Sequence, residues 1–142
     1  MIVLDTNVVS ELMRREPEPR VVSWVDRFPP DDVFVTAVTA AELRYGAARL
    51  RDGRRKRELA VQVDALLTED LQDQVLPFDD AAAVHYAEIA VARERDGRPI
   101  SVADAQIAAI CRCYGARLVT RNVDDFSGTG VDVVNPWEAD AE

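Results

Sequence analysis

The stretch MIVLDTNVVSEL, residues 1–12, decides the fold. Met1 to Leu4 form a short apolar run, which is typical of a buried strand, and Asp5 follows it directly. A helix is expected to begin at once, because Asp is a favourable N-cap residue. In open parallel sheets, functional sites lie beyond the carboxyl ends of the strands, where the next helices begin. Asp5 is therefore both a candidate helix cap and a candidate metal ligand.

The rest of the chain continues this alternation of strands and helices. Four further segments have the composition of strands: VFVTAV (33–38), QVLPF (74–78), ARLVTRN (116–122) and VDVVN (131–135). Helical spacing of apolar residues predicts a helical hairpin around Gly53, an alanine-rich helix over 79–95 and a helix from Ser101 to Gly115. The pattern predicts one α/β domain over residues 1–142, a three-layer α/β/α sandwich with a central, mainly parallel sheet.

Composition narrows the class of protein. A chain of 142 residues with 48% hydrophobic residues is large and apolar enough to form one folded core. No apolar run approaches the ~20 residues that cross a bilayer, and the amino terminus lacks the features of a signal peptide. A cytoplasmic protein without membrane association is expected.

The residue types also exclude several kinds of chemistry. His85 is the single histidine, and Cys111 and Cys113 point to different faces of a predicted helix. This argues against a zinc site, a disulfide and catalysis by a Ser-His or Cys-His pair. Any chemistry must therefore rest on carboxylates.

Acidic residues from four segments are predicted to lie at one edge of the sheet: Asp5, Glu42, Asp104 and the pair Asp124 and Asp125. Each has a structural alternative, since Asp5 can be a plain cap and both Thr39 to Glu42 and Ser101 to Asp104 match the capping-box spacing. Capping does not explain why these acids should converge. Converging carboxylates repel one another unless a cation lies among them, and Mg²⁺ or Mn²⁺ with oxygen ligands suits phosphodiester hydrolysis.

The charge distribution leaves an interaction with nucleic acid open. The net charge of −9 speaks against general attraction to RNA or DNA, but seven of the 17 basic residues lie within residues 44–57. This basic segment is either a solvated helix face or a local contact for phosphates.

Four blocks together resemble the PIN-domain ribonucleases, in particular the VapC-like and FitB-like toxins of type II toxin-antitoxin systems. They are MIVLDTNVVSEL, TAAELRYGA (39–47), SVADAQIAAIC (101–111) and LVTRNVDDF (118–126). They appear in the family's order and span nearly the whole chain. The resemblance implies an Mg²⁺-dependent or Mn²⁺-dependent endoribonuclease, in which a metal-activated water attacks an RNA phosphodiester in line.

The resemblance also implies roles for individual residues. Asp5, Glu42 and Asp104 form the acidic triad, with Asp5 and Asp104 as direct metal ligands and Glu42 as a ligand or as the group that positions water. Many members carry a fourth acid where Asn122 stands here, so that Asp125, or Asp124 beside it, is expected to replace it. Thr6, Asn7, Thr120 and Asn122 are expected to orient the carboxylates. The candidate RNA contacts are Arg44, Arg49, Arg54, Arg55 and Arg121.

The implied partners are a second copy of the chain, in a homodimer, and a cognate VapB-like antitoxin whose carboxyl-terminal segment blocks the site. Three alternatives are a housekeeping PIN nuclease of RNA processing, a non-catalytic binding domain with acidic helix caps, and a phosphate-accepting signalling domain. The last class needs a lysine in the pocket, whereas the single lysine, Lys56, lies in the charged turn.

Overall fold

The computed structural model describes residues 1–139, within which five strands form one parallel sheet. The strands are β1 Ile2–Leu4, β2 Val33–Thr36, β3 Val75–Leu76, β4 Arg117–Val119 and β5 Val133–Val134. Their order across the sheet is β3-β2-β1-β4-β5, and every neighbouring pair is parallel. The predicted fold class is confirmed, although each strand is shorter than the apolar segment that predicted it.

Helices connect these strands. They are α1 Thr6–Leu12, α2 Pro19–Asp26, α3 Ala37–Ala48, α4 Arg54–Ala65, α5 Asp80–Arg95 and α6 Val102–Tyr114. A π-helical segment, Leu66–Asp70, extends α4, and 3₁₀ segments cover Pro30–Asp32 and Val123–Phe126. None of the helices within residues 1–139 combines the length and apolarity that a bilayer-spanning segment needs.

The central strand shows why both faces of the sheet are covered. Side chains of β1 alternate, so that Ile2 and Leu4 pack with Val8 and Trp24 on one face, whereas Val3 packs on the opposite face. Helices α1 to α4 contribute to the first core, and α5 and α6 contribute to the second. The fully apolar character of residues 2–4 follows from this burial on both sides.

The strand order creates a crevice beside β1. The chain runs outward from β1 through β2 to β3 and then returns to place β4 on the other side of β1. Helices that follow β1 and β4 therefore leave in different directions, and ligand sites in such sheets form at this point. The N–H of Asp5 donates to the carbonyl of Val119 over 2.9 Å, which places Asp5 at the mouth of the crevice.

Candidate active site

Asp5 is a buried carboxylate that both caps a helix and joins two strands. Its side chain is 6% exposed, and its Oδ1 accepts a 2.8 Å hydrogen bond from the N–H of Thr6, which caps α1. Its Oδ2 accepts from the hydroxyl of Thr120 over 2.7 Å and from the amide of Asn7 over 3.3 Å. Burial raises the pKa of Asp5 above its ordinary value of 3.8, and these hydrogen bonds oppose that rise. The cap interpretation is correct, and it leaves room for a second role.

Thr120 is fully buried and has all its hydrogen-bonding capacity occupied. While it donates to Asp5, its hydroxyl accepts from the side chain of Asn7 over 3.3 Å and from the N–H of Asn122 over 3.1 Å. Asn7 Oδ1 in turn accepts from the N–H of Arg121 over 3.2 Å. Asn7 and Thr120 therefore orient Asp5 directly, whereas Asn122 contributes through its backbone.

Glu42 reaches the site through a contact with Thr6 and not as part of a capping box. The hydroxyl of Thr36 accepts from the N–H of Thr39 over 3.1 Å, and α3 begins at Ala37. The expectation that Thr39 and Glu42 form a capping box is therefore wrong, because Glu42 lies in the second turn. Its Oε1 instead accepts a 2.6 Å hydrogen bond from the hydroxyl of Thr6.

Asp104 lies in the first turn of α6, and the charges of the other acids affect its pKa. The Oγ of Ser101 accepts from the N–H of Asp104 over 3.1 Å, so the predicted cap of this helix is confirmed. Burial is the main cause that raises the pKa of Asp104, followed by the charge of Asp5 and then by those of Asp125 and Glu42. The other three predicted acids are therefore near enough to Asp104 for their charges to act on it.

These acids do not form a preformed metal-binding cluster within the described residues. Among residues 1–139, no three Asp, Glu, His or Cys side chains lie close enough together to hold a metal ion jointly. Asp5 is buried and Asp104 is half-buried, whereas Glu42 and Asp125 are exposed at the rim. The arrangement therefore has one buried and one half-buried carboxylate with two solvent-facing acids around them.

The family follows from comparison with known proteins. The sequence profile described as the PIN domain matches residues 2–131. The chain belongs to the PIN domain family. It is 38% identical over 138 residues to the VapC ribonuclease Y4jK of Sinorhizobium fredii, covering 97% of this chain and 99% of that protein. It is 39% identical over 137 residues to the toxin FitB of Neisseria gonorrhoeae, covering 96% and 99%.

A solved structure agrees with this PIN domain over almost its whole length. The structure of FitAB bound to an IR36 DNA fragment superposes with a TM-score of 0.92 at 37% sequence identity, covering 99% of this chain and 98% of that one. The predicted fold and family are thereby confirmed.

Three of the five arginines predicted to contact RNA are engaged on the surface of the PIN domain. Arg44 pairs with an acid of α4 over 3.3 Å, and Arg54 pairs with an acid one turn along its helix over 2.8 Å. The guanidinium of Arg49 lies 5.8 Å from the ring centroid of the tyrosine one turn before it. Exposed pairs of this kind are weak and can be exchanged for phosphate contacts.

The other two arginines flank the acids. Arg55 and Glu42 line the same groove of about 400 Å³, which lies between α1, α3 and α4. The guanidinium of Arg121 lies 4.6 Å from the ring centroid of Trp137. Arg55 thus shares a groove with Glu42, whereas Arg121 shares a different pocket with Asp125.

Arg93 is a site residue that the sequence reasoning missed. It is only 7% exposed, and its guanidinium donates to three carbonyls, those of Arg98 (2.7 Å), Asp125 (2.8 Å) and Ser127 (3.0 Å). These bonds hold the 3₁₀ segment that carries Asp125 against α5. The signal was its position four residues after Ile89, on the buried face of α5, where an arginine needs dedicated acceptors.

Proposed function

We propose that this PIN domain is a metal-dependent endoribonuclease and the toxin of a toxin-antitoxin pair. The observation that carries the proposal is that Thr6 bonds both Asp5 and Glu42 at the crevice beside β1. The charges of these two acids and of Asp125 all contribute to the raised pKa of Asp104. A buried carboxylate near other acids destabilises the fold, and strongly perturbed carboxylates of this kind are concentrated at functional sites. The names of its relatives, a VapC ribonuclease and a FitB toxin, support the same activity.

The donor set fits Mg²⁺ or Mn²⁺. All four groups are carboxylates, and hard divalent cations bind oxygen ligands. Mg²⁺ takes one or two carboxylates directly and retains several waters, so that Asp5 and Asp104 suffice as direct ligands while Glu42 and Asp125 act from the rim. A bound cation would supply hydroxide at neutral pH and neutralise charge on the phosphoryl group.

The residues of the chain perform distinct tasks around that centre. Thr120, Asn7 and the N–H of Thr6 fix the orientation of Asp5, so that its carboxylate needs no rearrangement when it binds a ligand. Glu42 is exposed and held by Thr6, which suits it to orient an attacking water and to accept its proton. Arg55 and Arg121 offset the negative charge of the site for an approaching RNA backbone.

The partners follow from the same surface. The groove beside Glu42 is lined by apolar side chains, among them Leu43, Leu59 and Val63, which suit the apolar face of an antitoxin segment. An arginine on such a segment would pair with the acids at the end of the groove and block the site. We propose an antitoxin as the regulatory partner, a homodimer as the assembly and the cytoplasm as the compartment.

The nuclease is tested with protein purified free of any partner. RNA cleavage is measured with Mg²⁺, with Mn²⁺ and with chelator, for the parent and for Asp5→Asn and Asp104→Asn. Asp70→Asn is the matched control, because Asp70 is exposed on the segment after α4. Cleavage should require metal and be lost in both site variants. Metal-independent cleavage would refute the metal-dependent mechanism, and full activity in both variants would show that Asp5 and Asp104 have only structural roles.

The toxin role is tested separately. Expression of the parent alone should arrest growth, expression of Asp5→Asn should not, and a small protein encoded beside this gene should restore growth. Normal growth together with cleavage in vitro would favour the second candidate, a housekeeping nuclease of RNA processing. The apolar groove beside Glu42 favours the toxin, because it offers a peptide-binding surface that reaches the acids.

A further inference from the structure

A polar pocket that shares no lining residue with the apolar groove lies beside Asp125. Its volume is about 490 Å³, which is within the range of pockets that hold small ligands. It lies between the 3₁₀ segment Val123–Phe126 and the segment after β5. The polar residues that line it are Arg121, Asn122, Asp124, Asp125, Asn135 and Glu138.

Arg121 presents a flat cationic surface to this pocket. Its guanidinium lies 4.6 Å from the ring centroid of Trp137 and makes no ion pair or side-chain hydrogen bond within residues 1–139, although its charge helps to lower the pKa of Glu11. The guanidinium therefore lies over the indole, while the Arg121 side chain remains exposed to solvent. Guanidinium planes held in this manner stack on nucleobases of single-stranded RNA.

Two amides in the pocket keep hydrogen-bonding groups free. Asn135 Oδ1 accepts from the N–H of Trp137 over 2.9 Å, which fixes the side chain while its NH₂ group stays unused in the described part of the chain. The side chain of Asn122 likewise makes no hydrogen bond to residues 1–139, since only its backbone bonds to Thr120. Amides of this kind read the edges of bases by paired donors and acceptors.

The charge of the pocket distinguishes a base from a phosphate. The lining residues carry three carboxylates, those of Asp124, Asp125 and Glu138, and one guanidinium. A phosphate would be repelled here, whereas the exocyclic amino group of a base donates readily to a carboxylate. Asp125 connects the pocket to the acids, because it lines the pocket and its charge also contributes to the raised pKa of Asp104.

We propose that this pocket binds the base of an unpaired RNA nucleotide next to the cleaved bond, stacked on Arg121, and that it prefers bases with an exocyclic amino group. This deepens the proposed function, because the nucleotide belongs to the RNA substrate. Cytosine, adenine and guanine are favoured over uracil, which has no amino group. The pocket thus contributes sequence preference, which the acids themselves cannot supply.

Binding is measured without cleavage, by NMR titration of ¹⁵N-labelled protein in chelator with cytidine, guanosine, adenosine and uridine monophosphates. The backbone resonances of Arg121 and Asn122, the side-chain amide of Asn135 and the indole N–H of Trp137 should shift. The three amino-bearing nucleotides should bind about five-fold tighter than uridine monophosphate, as one additional net hydrogen bond predicts. Inorganic phosphate should leave these resonances unchanged.

A double variant tests the preference. Asp124→Asn with Glu138→Gln replaces two acceptors by amides and should reduce the discrimination against uridine to below about two-fold, because amides also donate to its carbonyls. Glu69→Gln with Asp70→Asn removes the same charge from exposed positions after α4 and should keep the preference. Arg121→Met should weaken all four nucleotides.

Two outcomes would overturn the inference. These are equal binding of all four nucleotides by the parent and shifts caused by phosphate alone. Nucleotide binding does not require turnover. A protein that binds nucleotides here but cleaves no RNA would therefore refute the proposed nuclease and leave the pocket established, and the reverse result would refute only the pocket.

Discussion

The hydroxyl of Thr120, at the end of β4, donates a 2.7 Å hydrogen bond to Oδ2 of Asp5, at the end of β1. The two residues are 115 positions apart in the chain, and their strands are neighbours only because the chain returns to β1 after β3. This bond ties the polar groups of two segments into one site.

Thr120→Val should impair catalysis and stability together. The substitution removes the shorter of the two hydrogen bonds that Oδ2 of the buried Asp5 accepts, which should cost about 1–3 kcal/mol of the free energy of unfolding. Loss of a group that orients a metal ligand should lower the cleavage rate about 10- to 100-fold. Thr120→Ser keeps the hydroxyl and should restore most of both. Rates and urea denaturation curves provide the measurement, and equal behaviour of the two variants would contradict the role of the hydroxyl.

Asp104 should link metal binding to stability. A cation that binds only the folded protein stabilises it by about 2.7 kcal/mol at 100 times its dissociation constant. Thermal unfolding with increasing Mg²⁺ should show this gain in the parent and in Asp70→Asn but not in Asp104→Asn. A similar gain in Asp104→Asn would remove Asp104 from the ligands.

In chelator, without bound metal, Asp104→Asn should stabilise the protein at neutral pH. The pKa of Asp104 is raised in the folded protein, so its charged form destabilises the fold once the pH exceeds that raised pKa, and the penalty vanishes below the ordinary value of 3.8. Asp104→Asn should therefore be more stable than the parent at pH 7 and equally stable below pH 3.8. Denaturant unfolding at both pH values measures the difference, and a variant that is less stable at pH 7 would contradict the assigned shift.

Asp125 and Asp124 should differ in their kinetic effects. Asp125 acts on Asp104 through its charge, whereas Asp124 lines the neighbouring pocket without such an effect. Asp125→Asn is expected to lower the maximal rate about ten-fold, in line with the loss of a supporting acid. Asp124→Asn is expected to change KM rather than kcat. The reverse assignment of the two effects would make Asp124 the fourth acid.

Arg93→Met should loosen the segment that carries Asp125. Three carbonyls lose their donor, and a buried unsatisfied group costs about 1–3 kcal/mol. Hydrogen exchange should accelerate in residues 124–127, and cleavage should fall because Asp125 is displaced. Arg95→Met is the matched control, since Arg95 is exposed in the last turn of the same helix. Unchanged exchange in Arg93→Met would show that these bonds do not hold the segment.

Glu11 should make stability depend on pH. The N–H of Glu18 donates to its carboxylate over 2.9 Å, and this bond, with help from Arg14, lowers the pKa of Glu11 below its ordinary value of 4.5. The stabilisation is present above pH 4.5 and is lost as the pH falls through the lowered pKa. Glu11→Gln should therefore destabilise the protein at pH 7 but not in strong acid. Glu16→Gln, an exposed neighbour, should show no such dependence.

The sequence by itself determined the elements and the kinds of groups at their ends. The apolar run ending at Leu4 predicts a strand buried on both faces, and Ser101 and Asp5 begin their helices as caps because capping needs only residues one to three positions away. The positions of the acids after predicted strands and in first helical turns indicated one site, and the resemblance added the family and the roles of these acids. Local spacing misplaced the start of α3, because Thr36 and Thr39 are equally good caps and the end of β2 decides between them.

Only the tertiary structure decided which groups meet. The bond from Thr6 to Glu42 crosses 36 positions, Arg93 reaches the carbonyl of Asp125 across 32, and Arg121 stacks on Trp137 beside β5. These contacts depend on the order of strands and on the packing of helices over them. No periodicity within one segment contains that information, because a side chain's partners across a fold are set by the three-dimensional path of the chain.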